Sequence, residues 1–459
     1  MSDTIAAISS AVGEAGIGIV RMSGPKSSEI VKKIFKRKNN KKIENIENRK
    51  LNYGYIIRPE DSKIVDEVLM VYMEAPHTYT REDIVEIYCH GGIISVTNIL
   101  EIILNNDARL ADAGEFTKRA FLNGRLDLSQ AEAVIDIIKA KTNKSYELSL
   151  NQLEGGLSSK IQDIQNVLLD MIAHVEVSID FSDEDIEEVT YEELDEKANI
   201  VLGDIEQLIS TADKGKILRE GLNTVILGKP NVGKSSFLNS ILRENRAIVT
   251  DIPGTTRDII EEYANIDGIP LKLIDTAGIR YTEDLVEKMG VDRAKKEVER
   301  ADLIIAIFDS SVELSKEDYD ILEIVKDKNA IILLNKTDLP PKYTKEDLEQ
   351  FVSEKIIINT SITKDEGIGE VEKAIKNIFY SGEVELKDDT IVSNVRHKNQ
   401  LVKAKTNIED SIVGINSNLP LDCIEVDLRS CWENLGEISG STVSEDVLDK
   451  IFSEFCIGK

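Results

Sequence analysis

Little in this chain could hold a structural metal or a disulfide framework. Four cysteines (Cys89, Cys423, Cys431, Cys456) and four histidines (His77, His90, His174, His397) are scattered through 459 residues. None forms a C-x-x-C or H-x-x-x-H pair, the spacings from which zinc sites and small disulfide scaffolds are built. The cytoplasm is the compartment this usage predicts. Basic charge is also scarce: 56 Lys and Arg stand against 84 Asp and Glu, a net charge of -28. Unassisted grip on a phosphate backbone draws its affinity from Lys and Arg displacing counterions, so any nucleic-acid role needs a local basic patch or a basic partner. No run of about twenty apolar residues occurs, which argues against a membrane span. The apolar opening "IAAISSAVGEAGIGIV" is preceded by Asp3 and interrupted by Glu14 and three glycines. It has no basic lead, so it is not patterned as a signal peptide. The terminal "FCIGK" places Cys456 four residues from the end. Gly458 and Lys459 do not suit a prenylation box, and no polybasic stretch or second cysteine precedes it.

The length predicts two to four domains at about 150 residues each. The plainest chemistry lies in the middle, in "TVILGKPNVGKSSFLNSIL". A β-branched strand ending at Leu227 is followed by a glycine-framed loop and an apolar helix, and Gly228 with Gly233 to Ser235 fits G-x-x-x-x-G-K-[ST]. Glycines let backbone N–H groups curl round phosphates, Lys234 reaches the β and γ oxygens, and the Ser235 hydroxyl ligates magnesium. Asn231, Val232 and Ser236 complete the loop.

Three further elements follow in order. "PLKLIDTAGIR" is a strand ending in Asp275, Thr276, Ala277 and Gly278. There Asp275 can hold the magnesium water shell and the Gly278 N–H can sense a γ-phosphate. The turn-rich "TDIPGTTRD" between them offers Thr256 as a further magnesium ligand. The strand "AIILLNKTDL" delivers Asn335, Lys336 and Asp338, whose carboxylate can accept two N–H bonds from guanine while the Lys336 stem covers the base. "KIIINTSIT" ends in Thr360, Ser361 and Ile362, where backbone amides would meet the guanine oxygen. An isolated N-K-x-D is as readily a turn or a cap; four elements in this order at strand ends predict a GTPase. Ile279 stands where many GTPases have a water-orienting glutamine. That role must be filled elsewhere, and Arg280, Glu283, Asp284 and Glu287 follow closely.

Around this module, residues 129 to about 215 read as helical, with Ile161, Ile164, Leu168, Met171, Ile172, Val175 and Ile179 on one apolar stripe. Helical patterning resumes in "LVKAKTNIEDSIVGI" and "TVSEDVLDKIFSEF", where Thr442 and Glu445 fit a capping box. The acidic run from Asp180 to Lys197 reads as a solvated face and loop. A GTPase inserted into a helical domain is therefore expected, with helix movement reporting the nucleotide state. Residues 1 to about 118 read as alternating short strands and helices, a separate α+β domain. The expected fold is multidomain: N-terminal α+β domain 1–118, helical domain 119–217 and 381–459, and an inserted α/β P-loop GTPase domain, Ras-like, 218–380. In "YTREDIVEIYCHGG", Glu82 and His90 fall at loop edges. An H-G-G can build an oxyanion hole, but no G-x-S-x-G supplies a nucleophile.

"DTIAAISSAVGEAGIGIVRMSG", "YTREDIVEIYCHGG", "AGEFTKRAFLNGRLDLSQAEAV", "GKPNVGKSS", "TDIPGTTRD", "DTAGIR" and "CIGK" together resemble the MnmE, or TrmE, family of tRNA modification GTPases, from end to end. The resemblance implies a homodimer formed through the N-terminal domains, which bind 5-formyl-tetrahydrofolate. It implies a flavoprotein partner, MnmG (GidA), with which an aminomethyl or carboxymethylaminomethyl group is added to carbon five of the wobble uridine of certain tRNAs. It further implies GTP hydrolysis activated when two G domains meet with potassium bound. Carried over residue by residue, Asn231, Thr250, Ile252 and Thr255 would ligate potassium, with Asp251, Pro253 and Gly254 in the same loop. Ser235 and Thr256 would hold magnesium, and Glu287 would orient water through a bridging water. Arg21, Glu82, Arg125 and Lys459 match the folate contacts, and Cys456 the functionally required cysteine. Lys234, Glu287 and Cys456 are the catalytic candidates on this reading. The loop "SSAVGEAG" lacks the usual prolines and glycine density, and Ile362 stands where alanine is common.

Two other readings compete. A GTP-switched assembly factor of the Era or Der kind would bind RNA without altering it, but it would carry a basic RNA-binding module or a second G domain. A folate-dependent one-carbon transferase working alone would need no flavoprotein.

Overall fold

The computed structural model describes residues 3–11, 13–38, 45–180, 190–245, 262–275, 297–380 and 390–459. The N-terminal part is a seven-stranded sheet with helices on it. In chain order its elements are β1 (Thr4–Ile8), β2 (Gly18–Ser23), α1 (Ser27–Ile34), β3 (Phe35–Arg37), β4 (Asn52–Ile57), β5 (Ile64–Met73), β6 (Ile84–Cys89), α2 (Ile93–Leu104), β7 (Ala108–Leu110) and α3 (Glu115–Leu122). The strand order is β3-β4-β5-β6-β2-β1-β7, antiparallel except for the β1–β7 pair. Alternation decides the two faces. Val20, Met22 and Ile87 pack under α1 and α2, while Ile5, Ala7 and Phe116 form a smaller cluster with Tyr79. Glu82 and His90 flank β6, as the sequence suggests.

The helices α4 (Leu128–Lys139), α5 (Asn143–Leu153), α6 (Gly156–Asp180) and α7 (Tyr191–Glu220) follow. The start of α7 is fixed by a Thr190/Glu193 capping box inside the acidic run. The predicted stripe on α6 is buried from Ile161 to Val175. Ile179 is a correction: it is 38% exposed, because the last turn of α6 is not covered by any described element.

After Gly221 the chain enters an α/β unit: β8 (Leu222–Leu227), α8 (Lys234–Asn245), β9 (Glu262–Ile266), β10 (Ile269–Asp275), β11 (Leu303–Asp309), α9 (Lys316–Lys326), β12 (Ala330–Asn335), α10 (Lys345–Glu349), β13 (Ile356–Asn359) and α11 (Ile368–Tyr380). The sheet order is β13-β12-β11-β8-β10-β9, parallel throughout except β9–β10. Every residue of β11 and β12 is buried, as befits parallel strands covered on both faces. β8 lies between β10 and β11, so the loop after it opens where the connections diverge, the usual ligand position in such sheets.

The chain then returns to α12 (Val395–Asn416), α13 (Leu421–Ser439) and α14 (Glu445–Ser453). α12 and α13 close a bundle with α6 and α7 round one continuous apolar core. The entry and exit arms of the inserted unit touch. Val392 N–H donates to Thr211 Oγ1 at 3.0 Å, and a Cβ on Gly215 would meet Val392 O at 2.1 Å, so α7 requires glycine there. A second correction concerns α14. Its N-cap is Ser444, in extended conformation, and Thr442 Oγ1 instead donates to Glu433 O at 3.1 Å. Thr442 is held by the end of α13 before the new helix begins. Among the described residues no helix is long and apolar enough to cross a membrane.

Candidate functional site

Two groups of predicted residues come together in the structure. The first surrounds the loop between β8 and α8. Gly228 (φ 151°), Asn231 (φ 64°) and Gly233 (φ 112°) take left-handed or open backbone conformations. A Cβ on Gly233 would meet Asn335 Nδ2 at 2.4 Å, so this position admits only glycine. The loop curls round Lys234, whose Nζ donates to Gly228 O at 2.6 Å and Lys229 O at 2.7 Å. Ser235 and Ser236 are exposed in the first turn of α8, where free amides and the helix dipole favour an anion.

Asn335 is the hub of this region. Buried at the end of β12, it donates from Nδ2 to Val232 O at 2.7 Å, and its Oδ1 accepts from Ile362 N–H at 3.2 Å and from Thr360 Oγ1 at 3.3 Å. It joins the phosphate loop to the loop after β13 and also lines the cavity between them. Asp338 is exposed, with Oδ1 accepting from Ser361 Oγ at 2.8 Å. Lys336 (φ 64°) is anchored by its Nζ, 2.6 Å from Asp309 Oδ2. Burial pushes the Asp309 carboxyl up, but Lys336 and two Ser311 donors outweigh it and hold it below the ordinary range. Between them lies a cavity of about 230 Å³ lined by Asn231, Gly233, Ser236, Lys336, Asp338 and Ile362, among others. It has an anion-binding end at α8 and a carboxylate at the other, a layout suited to a nucleotide whose base offers N–H donors. The Ser361 amide is engaged with Glu366 O at 3.1 Å, so the Ile362 N–H, in a longer bond to Asn335, is the one a base oxygen can share. Asp275 ends β10 opposite Ile226 of β8, next to the loop. Thr250 to Thr256, Thr276 to Gly278, Arg280, Glu283, Asp284 and Glu287 lie outside the described residues.

The second group is on the N-terminal sheet, on the face that carries α3. Arg21 is held by Glu86 at 2.8 Å, with its guanidinium 5.7 Å from the Phe116 ring centre. The Arg125 guanidinium lies 4.6 Å over the Tyr79 ring. Burial raises the Tyr79 phenol, while its bond to Thr117 and the charges of Arg125 and Arg21 pull it back, so both cations act at one place. Glu82 is turned inward. Its carboxylate takes Ser23 Oγ at 2.8 Å and Arg119 Nη1 at 3.1 Å.

Arg119 was not anticipated. It is fully buried and neutralised by Glu82, Glu115 and Asp3. The i, i+4 spacing from Glu115 is the signal that could have revealed it.

The C-terminal tail reaches this domain. Phe455 packs with Leu128 and Phe452. Ile457 forms a bridge with Ala113, Gly114 N–H donates to Cys456 O at 3.4 Å, and Ser9 Oγ donates to Gly458 O at 3.1 Å. Gly458 has φ 95°, and a Cβ there would meet Ile8 O at 2.3 Å. Cys456 is exposed and free, and Lys459 follows at the end of β1.

Comparison with known proteins agrees with this architecture. Residues 128–456 match the family description "MnmE helical domain", and residues 4–125 match "GTP-binding protein TrmE N-terminus". The chain is 56% identical over 459 residues to the tRNA modification GTPase MnmE of Alkaliphilus oremlandii, covering 100% of both chains. It is 50% identical over 458 residues to that of Bacillus subtilis, again covering 100% of each. Among solved structures, the FeoB G domain from Methanococcus jannaschii aligns with 34% of this chain and 96% of its own at 23% identity, TM-score 0.26.

Proposed function

The chain belongs to the MnmE family of tRNA modification GTPases, and from that premise we propose that it couples GTP hydrolysis to wobble-uridine modification by a two-protein scheme. In this scheme a homodimer, working in the cytoplasm with the flavoprotein MnmG, adds the aminomethyl or carboxymethylaminomethyl group to carbon five. The tRNA is held mainly by the partner, in keeping with this chain's charge of -28.

The observation that carries the reading is the docked tail. Gly458, Ile457 and Cys456 are each tied to the N-terminal domain, so the last residues serve the sheet whose face carries Arg21 and Arg125. Two guanidiniums beside Phe116 and Tyr79 suit a flat, anionic ligand such as 5-formyl-tetrahydrofolate, which supplies the one-carbon unit when bound. Arg21, Arg125 and Lys459 would hold it, while Glu82 keeps Arg119 and the floor of the site in place. Cys456, exposed on the docked tail, would be available to act on the ligand or to shape its pocket.

In the G domain, Lys234 would exchange two backbone carbonyls for phosphate oxygens, an exchange that opens the loop only when an anion replaces them. Asp338 would accept the guanine N–H donors. Ser235 and Thr256 would take magnesium, with Asp275 on its water shell. Asn231, Thr250, Ile252 and Thr255 would take potassium, which supplies the charge that an arginine finger gives elsewhere. Glu287 would orient the attacking water.

The test is GTP turnover in potassium against sodium at equal ionic strength, repeated with Asn231→Ala and Glu287→Ala. A gain of about tenfold in potassium, roughly 1.4 kcal/mol of barrier, abolished by both substitutions, supports the scheme. Equal rates in both salts overturn it. Uridine modification by this chain without the flavoprotein would overturn the two-protein part alone.

A further inference from the structure

The helical bundle grips the G domain at a corner that leads to the nucleotide machinery. β9 and β10 form a hairpin that turns at Asp267 (φ 52°) and Gly268 (φ 89°). Its closed end rests on the start of α5. Thr142 Oγ1 donates to Gly268 O at 2.8 Å, and Lys144 Nζ donates to Asp267 O at 2.8 Å. Lys141 Nζ stands 5.4 Å over the Tyr263 ring. In sequence, its open end follows the motif at 250–256 on one side and reaches Asp275 on the other.

Thr142 is the N-cap of α5 and is 6% exposed. Its hydroxyl lies 2.7 Å from that of Ser145, which lies 2.6 Å from Leu218 O in the last turn of α7, just ahead of β8. Each hydroxyl carries one hydrogen, so two hydrogens serve three short oxygen–oxygen gaps. The pair can hold hairpin and stem together only with an unbonded contact between the hydroxyls; otherwise it favours one side. A clasp that cannot bond both sides and itself at once is sensitive to small shifts of either side, and so suited to reporting movement.

We propose that Thr142 and Ser145 are positioning residues for GTP hydrolysis. From the helical domain they set the hairpin against β8, and through the seven residues of β10 they set Asp275 against the phosphate loop. The proposal rests on reading the segments at the hairpin's open end as nucleotide machinery.

The experiment compares the full chain with Thr142→Val, Thr142→Ser and Ser145→Ala, measuring kcat and KM for GTP, GDP affinity and Tm. Thr142→Val and Ser145→Ala should lower kcat by about 2- to 30-fold, the range of couplings that such contacts carry, with GDP affinity unchanged. Thr142→Ser, which keeps the hydroxyl, should restore the rate. All rates are taken below every variant's unfolding transition, so that lost stability does not pass for lost positioning. Unchanged kcat in Thr142→Val, a loss in Thr142→Ser as deep as in Thr142→Val, or a loss that follows GDP affinity overturns the proposal. Lys234→Ala separates the two layers. If it leaves turnover intact, the nucleotide-site reading falls and the clasp with it; if it abolishes turnover while Thr142→Val is normal, the clasp alone falls.

Discussion

Asn335 and Val232 lie 103 positions apart in sequence, yet the amide of one donates to the carbonyl of the other at 2.7 Å inside the protein. A residue expected in the nucleotide site also holds the phosphate loop to the loop after β13. Asn335→Ala would leave Val232 O and the Ile362 N–H without their partner. The expected cost is about 1–3 kcal/mol of G-domain stability, the price of buried polar groups left unpaired, with weaker GDP binding. Urea unfolding and a GDP titration check this; unchanged values in both would show the hub to be dispensable.

Asp338 offers acceptors only, which suits the two N–H groups on one edge of guanine. Asp338→Asn presents a donor beside an acceptor, matching a base with a carbonyl in place of the exocyclic amine. Preference should therefore pass from GDP to xanthosine diphosphate. Competition binding with the two nucleotides decides it, and retention of GDP preference would mean that Asp338 does not face the base.

Acid should unfold the helical domain through the buried pair Glu132 and His397, whose Oε2 and Nε2 are 2.7 Å apart. Burial drives the His397 imidazole below its ordinary value against the pull of Glu132. For Glu132, burial would raise the carboxyl, but His397 and Arg396 bring it to about 2. Both folded values lie below the unfolded ones, so the unfolded chain binds more protons in acid. Stability is complete above the unfolded histidine value of about 6.5 and falls as pH drops from there, more steeply through the carboxylate range. His397→Gln should flatten the first part of that fall. Urea midpoints at pH about 5 and about 7.5 test the slope; identical midpoints for the native chain would refute it.

Gly458→Ala should unseat the tail, since its φ of 95° and the Ile8 carbonyl 2.3 Å from the new Cβ leave no room. Modified nucleoside formed with the flavoprotein should fall while GTP turnover by the chain alone stays at its native rate. Loss of both would place the tail's influence on the G domain as well.

The described strands of the G domain and the loops after β8 and β12 were legible because each motif is local: a few residues at a strand end carry their own geometry. The stripe on α6 was legible as far as Val175, and failed at Ile179 because periodicity cannot say where a neighbouring helix stops. Thr442 and Glu445 had the right spacing for a cap, but Ser444 was better placed once Thr442 was taken by Glu433 O. The contact of Ser9 with Gly458 spans 449 positions, and no local pattern announces it; the resemblance pointed to the tail without giving its bonds. The clasp at Thr142 was equally hidden, since Thr142 and Ser145 read as an ordinary helix start.

The bundle core has a history in time as well as a shape. α6 and α7 leave the ribosome with part of the surface of Ile161, Leu168, Met171 and Val201 uncovered, and the helices that complete their core, α12 and α13, emerge only after the whole G domain. At ~5–20 residues per second of synthesis, that apolar surface waits roughly ten to forty-five seconds for its partners. Over that interval the nascent chain carries an aggregation-prone surface, and any substitution that slows folding of the inserted domain lengthens the exposure of helices outside it.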